Sequence, residues 1–143
     1  MASILKVDTI TGVTTAGSIA ITGEGNSTTT NLQQGLAKSW CNLQGTSTAA
    51  IRDSFNTASI TDNGTGDYRF TFTSAMNNVN YSTDCSHSAL GTDYRFIVLL
   101  KGSSSALSNY TTSQFEVLAN QVQNGANAAD FPYVGVGVNG DLA

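Results

Sequence analysis

The chain has 143 residues, room for one domain with a sizeable core, and only 11% of them are charged, against about 25% in an ordinary soluble domain. Ser, Thr and Asn fill the gap, so the surface is polar with few charges. A net charge of −4 with six Lys plus Arg leaves no electrostatic footprint for nucleic acid or an anionic membrane, which argues against both as partners.

The opening MASILKVDTI sets Lys6 and Asp8 among apolar residues, so it reads neither as a membrane span nor as a secretory h-region, and points to a chain kept soluble in a cytosol. It reads instead as an extended arm. Isolated extended pieces of this length do not bury their own apolar side chains. Ile4, Leu5, Val7 and Ile10 therefore ask for a partner, another copy of the chain or a different protein, in preference to an edge of their own domain. SIAITG is a second short extended piece, and Gly23–Gly35, apolar only at Leu32, reads as a linker. The predicted division is an arm and linker over 1–35 and a β module over 36–143.

Within the module, strands are expected at Lys38–Leu43 around Trp40 and at Ile51–Phe55. Between Ser59 and Phe72 two alternating runs flank Asn63-Gly64 and Gly66, residues that tolerate the positive φ of a tight hairpin turn. Asp67–Thr73 places Tyr68, Phe70 and Phe72 on one side and Arg69, Thr71 and Thr73 on the other, the period of a strand with one buried face. Asn80–Cys85 is a further strand. Tyr94–Lys101 is apolar on both sides and predicts a central strand covered on both faces. Ser113–Asn120 is read as a strand through Phe115 and Val117 in preference to a helix over Ser113–Val122. In the last strand, Tyr133–Val138, the valines share one face while Tyr133, Gly135 and Gly137 share the other. A face without side chains admits another backbone or an aromatic ring, so Gly135 and Gly137 are read as a protein contact, within the domain or between subunits. The pattern as a whole points to an all-β antiparallel β-sandwich, jelly-roll-like, preceded by an extended N-terminal arm.

The chemistry-bearing residues are sparse. Gly135, Gly137 and Gly140 spell G-x-G-x-x-G, but only Asp141, Leu142 and Ala143 follow, too few for the helix whose N-terminus would hold a pyrophosphate. Cys41 and Cys85 are read as buried free thiols rather than a disulfide. His87, the single histidine, lies near Cys85 and Asp84, yet neighbours along an extended chain alternate faces and do not assemble a triad. The His and Cys count falls short of a zinc set, and the carboxylates show no calcium-loop spacing. No catalytic residue, cofactor or metal is expected. Trp40, Tyr68, Tyr94 and Tyr110 are types that can line a sugar-binding surface, although the alternation around Trp40 and Tyr94 assigns those two to the core.

Three stretches together, MASILKVDTITG, GLAKSWCNLQGTSTAAIRDSFNTASITDNGTGDYRFTFTSAMNNVNYS and GVGVNGDLA, resemble virion appendage proteins of tailed bacteriophages, especially those infecting marine bacteria. The resemblance implies a structural protein of the virion, a short tail-fibre or spike-like homotrimer. Its arm would join other virion proteins, and its C-terminal module would face outward, with a host surface glycan as a possible ligand. Two departures stand out: no long repetitive shaft separates arm from module, and Cys41 occupies an expected apolar strand position. A shaftless chain also suits a capsid decoration protein, and composition alone allows a carbohydrate-binding module of cellular origin.

Overall fold

The computed structural model describes residues 4–12, 19–22, 29–88, 96–103, 106–107, 109–121 and 127–142. Two compact units are present, Met1–Leu36 and Ala37–Ala143. In the first, β1 (Ala20–Thr22) pairs antiparallel with β2 (Thr29–Asn31), and one helical turn, α1 (Leu32–Gly35), follows. Leu32 N donates to Ile19 O at 2.8 Å, tying the turn to the start of β1. Part of the stretch expected to be a linker is thus a strand, because consecutive β-branched threonines favour extended pairing even when polar. Ile4, Leu5, Val7 and Ile10 lie outside any strand and are exposed, the first two at 77%.

The second unit is an antiparallel β-sandwich. Its strands are β3 (Ser39–Gln44), β4 (Ala50–Phe55), β5 (Thr57–Gly64), β6 (Asp67–Phe72), β7 (Ser82–His87), β8 (Phe96–Leu100), β9 (Gly102–Ser103), β10 (Ala106–Leu107), β11 (Gln114–Gln121), β12 (Asn127–Ala128) and β13 (Val134–Asn139). One sheet runs β4-β3-β13-β7; the other runs β5-β6-β11, with β8 on the far edge of β11 and β12 beyond the end of β6. A small ribbon pairs β9 with β10.

Alternation along the strands builds the core. Cys41 and Leu43 of β3 and Val134, Val136 and Val138 of β13 face Tyr68, Phe70 and Phe72 of β6 and Phe115, Val117 and Ala119 of β11, with Met76, Tyr81 and Phe131 closing the ends. Phe70 stacks on Phe115 with centroids 5.1 Å apart, and Phe72 packs against both Phe115 (5.5 Å) and Tyr81 (5.7 Å, edge-on). Each such ring contributes about 1.5–3 kcal/mol by leaving water, and each good aromatic pair about 0.5–1.5 kcal/mol more. Tyr81 fits at this end of the core because its hydroxyl donates outward to Thr111 O (2.8 Å) and Gln114 O (3.2 Å).

Three sequence readings need correction. Trp40 is not a core residue: it is 39% exposed on the outer side of β3. Its strand carries apolar groups on both sides, and turning Trp40 inward would bury Asn42 and expose Cys41 and Leu43, so the register with two apolar residues inside wins. Among the described residues β8 pairs on one side only, with β11, so it is an edge rather than a central strand, and Tyr94 lies outside the described residues. The hairpin between β5 and β6 forms as expected, but its turn is Thr65-Gly66, with Gly64 opposite Asp67 across a register shift. Gly66 carries the left-handed φ of 68°. A Cβ there would run into Ala119 O and lie 2.9 Å from Ala129 N, so both conformation and space require glycine. The segment read as strand rather than helix, Ser113–Asn120, is a strand, displaced by one residue as β11.

The crossing from the first sheet to the second rests on one residue. Asn56, alone between β4 and β5, has φ 54°, a region Asn tolerates better than most residues. Its amide donates to Lys38 O (2.9 Å) and Ser74 O (3.0 Å), and its Oδ1 accepts from Ser74 N (2.6 Å). Its backbone carbonyl accepts from Thr73 N at 3.2 Å. One side chain thereby fixes the start of β3, the sheet switch and the exit of β6.

Candidate functional site

The face of the first sheet that points away from the core carries an open groove. Because Val134, Val136 and Val138 occupy the inner side of β13, Gly135 and Gly137 fall on the outer side. Antiparallel register sets them in cross-strand rows. Gly137 lies between Trp40 on β3 and Asp84 on β7, with Phe55 beyond Trp40; Gly135 lies between Asn42 and Ser86, with Asp53 beyond Asn42. The missing side chains leave a trough of about 290 Å³ lined by Asp84, Cys85, Ser86, Gly135, Val136 and Gly137, all on β7 and β13.

The two sides of this outer face differ chemically. On the β3 and β4 side stand Trp40 and Phe55, the latter 51% exposed. On the β7 side Asp84 Oδ2 accepts from Asn139 Nδ2 at 3.3 Å, leaving further acceptor capacity on the carboxylate. At the far end Arg52 lies over the Tyr133 ring, 4.0 Å from its centroid, and donates to Gln44 Oε1 at 2.9 Å.

The two glycines are not equivalent. A Cβ on Gly135 would come within 2.6 Å of the Ser86 hydroxyl, which would have to rotate away. A Cβ on Gly137 would meet nothing nearer than Asp84 Cβ at 3.9 Å, an ordinary contact. Glycine inside a strand costs roughly 0.5–1 kcal/mol relative to a residue with a side chain. Folding therefore leaves Gly137 unexplained. Comparison with family models, with curated proteins and with solved structures found no match.

The reactive residues near the groove do not assemble a catalytic set. Asp84 is on the outer face, whereas Cys85 and His87 point inward. His87 Nδ1 lies 2.9 Å from Ser88 O, and its ring packs on Phe131 at 4.7 Å. Cys41 and Cys85 both pair with Val136, one on each side, so two strand spacings of about 4.8 Å separate them, too far for a disulfide. Both are free thiols; burial first, and then the nearby carboxylate (Asp53 for Cys41, Asp84 for Cys85), pushes each up to about 11. Among the described residues no group of His, Cys, Asp and Glu is arranged to hold a metal ion.

Two polar clusters escaped the sequence reading. Glu116, fully buried although it alternates with core residues on β11, accepts from Asn63 Nδ2 (2.5 Å), Asn109 Nδ2 (2.7 Å) and an Arg69 terminal nitrogen (3.2 Å). Lys101 Nζ lies 3.8 Å from it and 2.5 Å from Asp67 Oδ2, and the hydrogen bond to Asp67 is the main reason the ammonium is held above its usual range. This network pins the β5–β6 hairpin to the segment before β11. Asp130 Oδ1 accepts from Gly66 N (2.7 Å) and the Tyr68 hydroxyl (2.8 Å), which also reaches Gly45 O at 3.2 Å. Burial, then Asp130, raises the Tyr68 phenol well above its ordinary value. A glutamate in an otherwise apolar run and an aspartate next to Phe131 were the available signals.

Of the residues singled out from sequence, Gly135 and Gly137 form the groove floor. Ile4, Leu5, Val7 and Ile10 remain solvent-facing in their own unit.

Proposed function

We propose that this chain is a structural subunit of a tailed-phage virion, a short fibre or spike, which assembles as a homotrimer and presents its β-sandwich toward the host surface. The observation that carries the reading is the pairing of an exposed apolar arm with a sandwich core drawn from residues past Leu36. Exposed Ile and Leu on an extended segment are stabilised by a partner surface, and the sandwich is free to act as an outward module. The resemblance of MASILKVDTITG and of Gly35–Ser82 to phage appendage proteins supports the same reading.

Removal of Met1–Ile10 tests it. The shortened chain should keep its β-rich circular dichroism and cooperative unfolding but fail to join particles. Undiminished incorporation, or sedimentation of the whole chain as a stable monomer at micromolar concentration, would refute the proposal. A second reading, a carbohydrate-binding module, is favoured by the exposed Trp40 and Phe55 on β3 and β4; it is separated from the first by glycan affinity without any particle association.

A further inference from the structure

We propose that Asn63 is a self-modifying site: the backbone nitrogen of Gly64 converts its side-chain amide to a carboxylate, and the conversion releases the β5–β6 hairpin from Glu116. The chemistry needs only water. The Gly64 nitrogen gives up its proton to solvent base and bonds to Asn63 Cγ, the side-chain nitrogen leaves as ammonia, and a succinimide ring closes. Water then opens the ring at either carbonyl. Opening at Cγ gives aspartate; opening at the backbone carbonyl gives isoaspartate, with an extra methylene in the main chain. A glycine in the second position hinders ring closure least, because it brings no side chain. The chain holds three Asn-Gly pairs, at Asn63, Asn124 and Asn139, of which 124–125 lies outside the described residues.

The fold separates the other two pairs. Asn63 is exposed and is the extra residue of a bulge: Asp62 faces Tyr68 and Gly64 faces Asp67, so Asn63 has no ladder partner. Around Gly64 an added Cβ would find nothing within 4 Å. Asn139, by contrast, pairs with Ser82 at the end of β13, and a Cβ on Gly140 would come 2.7 Å from Tyr81 Cβ, so closing a ring there requires packed groups to move. At Asn63 two hydrogen bonds gate the reaction. Asn63 Nδ2 donates to Glu116 Oε1 at 2.5 Å, which holds the leaving nitrogen across β6. Gly64 N donates to Asp62 Oδ1 at 3.0 Å, and the negative charge of that carboxylate opposes loss of the N–H proton. Opening the end of the hairpin breaks both bonds while the sandwich stays folded. The product does not return to its old contacts. An ionised carboxylate only accepts, and Asn63 Nδ2 lies against Glu116 and 3.5 Å from Asp67 Oδ1, so repulsion between like charges replaces donated bonds. Isoaspartate also displaces the strand beyond it by its extra methylene.

The test incubates the intact chain at mildly alkaline pH, folded and in urea, and follows each asparagine by mass-spectrometric peptide mapping. In the folded chain Asn63 should convert at least fivefold faster than Asn139, whereas in urea the two should convert at similar rates. Asp62→Ala, a change at an exposed position, should speed conversion at Asn63 at least threefold, and Glu116→Ala should do the same. Asn63→Asp, which stands for the aspartate product, should raise hydrogen exchange of the amides from Gly64 to Arg69 at least tenfold and leave exchange in β3 and β13 unchanged. The proposal is overturned if folded Asn63 converts no faster than Asn139, or if Asp62→Ala slows the reaction, since Asp62 would then assist the attack. It is equally overturned if Asn63→Asp exchanges as the parent does, because the conversion would then release nothing.

Discussion

Replacing Asn56 by Ala tests whether the sheet switch is held by a left-handed residue with a three-bond side chain. The substitution removes the acceptor of Ser74 N (2.6 Å) and the donors to Lys38 O (2.9 Å) and Ser74 O (3.0 Å). At about 1 kcal/mol each, reduced because the site is only half-buried, these bonds contribute about 2 kcal/mol together. Alanine at φ 54° adds about 1–2 kcal/mol of backbone strain. The expected loss is about 3–4 kcal/mol, a large share of the 5–15 kcal/mol typical of a domain. Asn56→Gly separates the two contributions, since it keeps the conformation and loses the bonds. It should be about 1 kcal/mol less destabilising than alanine, the gap being narrowed by glycine's larger unfolded-state entropy. Urea unfolding followed by Trp40 fluorescence measures both; Trp40 is the single tryptophan and pairs with Phe55, the residue before Asn56. The reasoning fails if glycine is as damaging as alanine, or if alanine costs less than 1 kcal/mol.

Three further outcomes are expected. Glu116→Ala should cost about 2 kcal/mol, toward the low end for a broken buried pair because Arg69 and Lys101 are 31% and 35% exposed and regain water; Glu116→Gln should cost less, by chemical denaturation. Gly66→Ala should be more damaging than Gly64→Ala: φ of 68° and 133° strains alanine at both positions, but only at 66 does a Cβ also strike the backbone of Ala119; thermal midpoints of the two variants decide it. Stability should fall as pH rises from 9 toward 11. The unfolded thiols release protons near 9.0 and the folded ones near 11, so the unfolded state binds fewer protons in that window and gains relative stability. Cys41 accounts for on the order of 2 kcal/mol of this by pH 11; Tyr68 and Tyr81, also raised, act in the same direction, and Cys41→Ala should flatten the pH dependence of unfolding free energy.

The class of fold and the inner face of several strands were legible in local patterning. Tyr68, Phe70 and Phe72 alternate with polar residues, and so do the valines of 134–138 with glycines; period-two patterning is a local property, and each strand turned the expected side inward. Which strands became neighbours was settled by packing across the whole domain. β3 and β13 pair across some ninety residues, and nothing in either strand specifies the other, because backbone hydrogen bonds are the same for every sequence. That pairing put Trp40 beside Gly137, and in the other sheet the pairing of β11 with β6 set Glu116 opposite Arg69. The outward turn of Trp40 belongs with these: a strand carrying apolar groups on both sides has its face chosen by what the opposing sheet offers, here an aromatic core that takes in Cys41 and Leu43 and leaves the indole on the outer face.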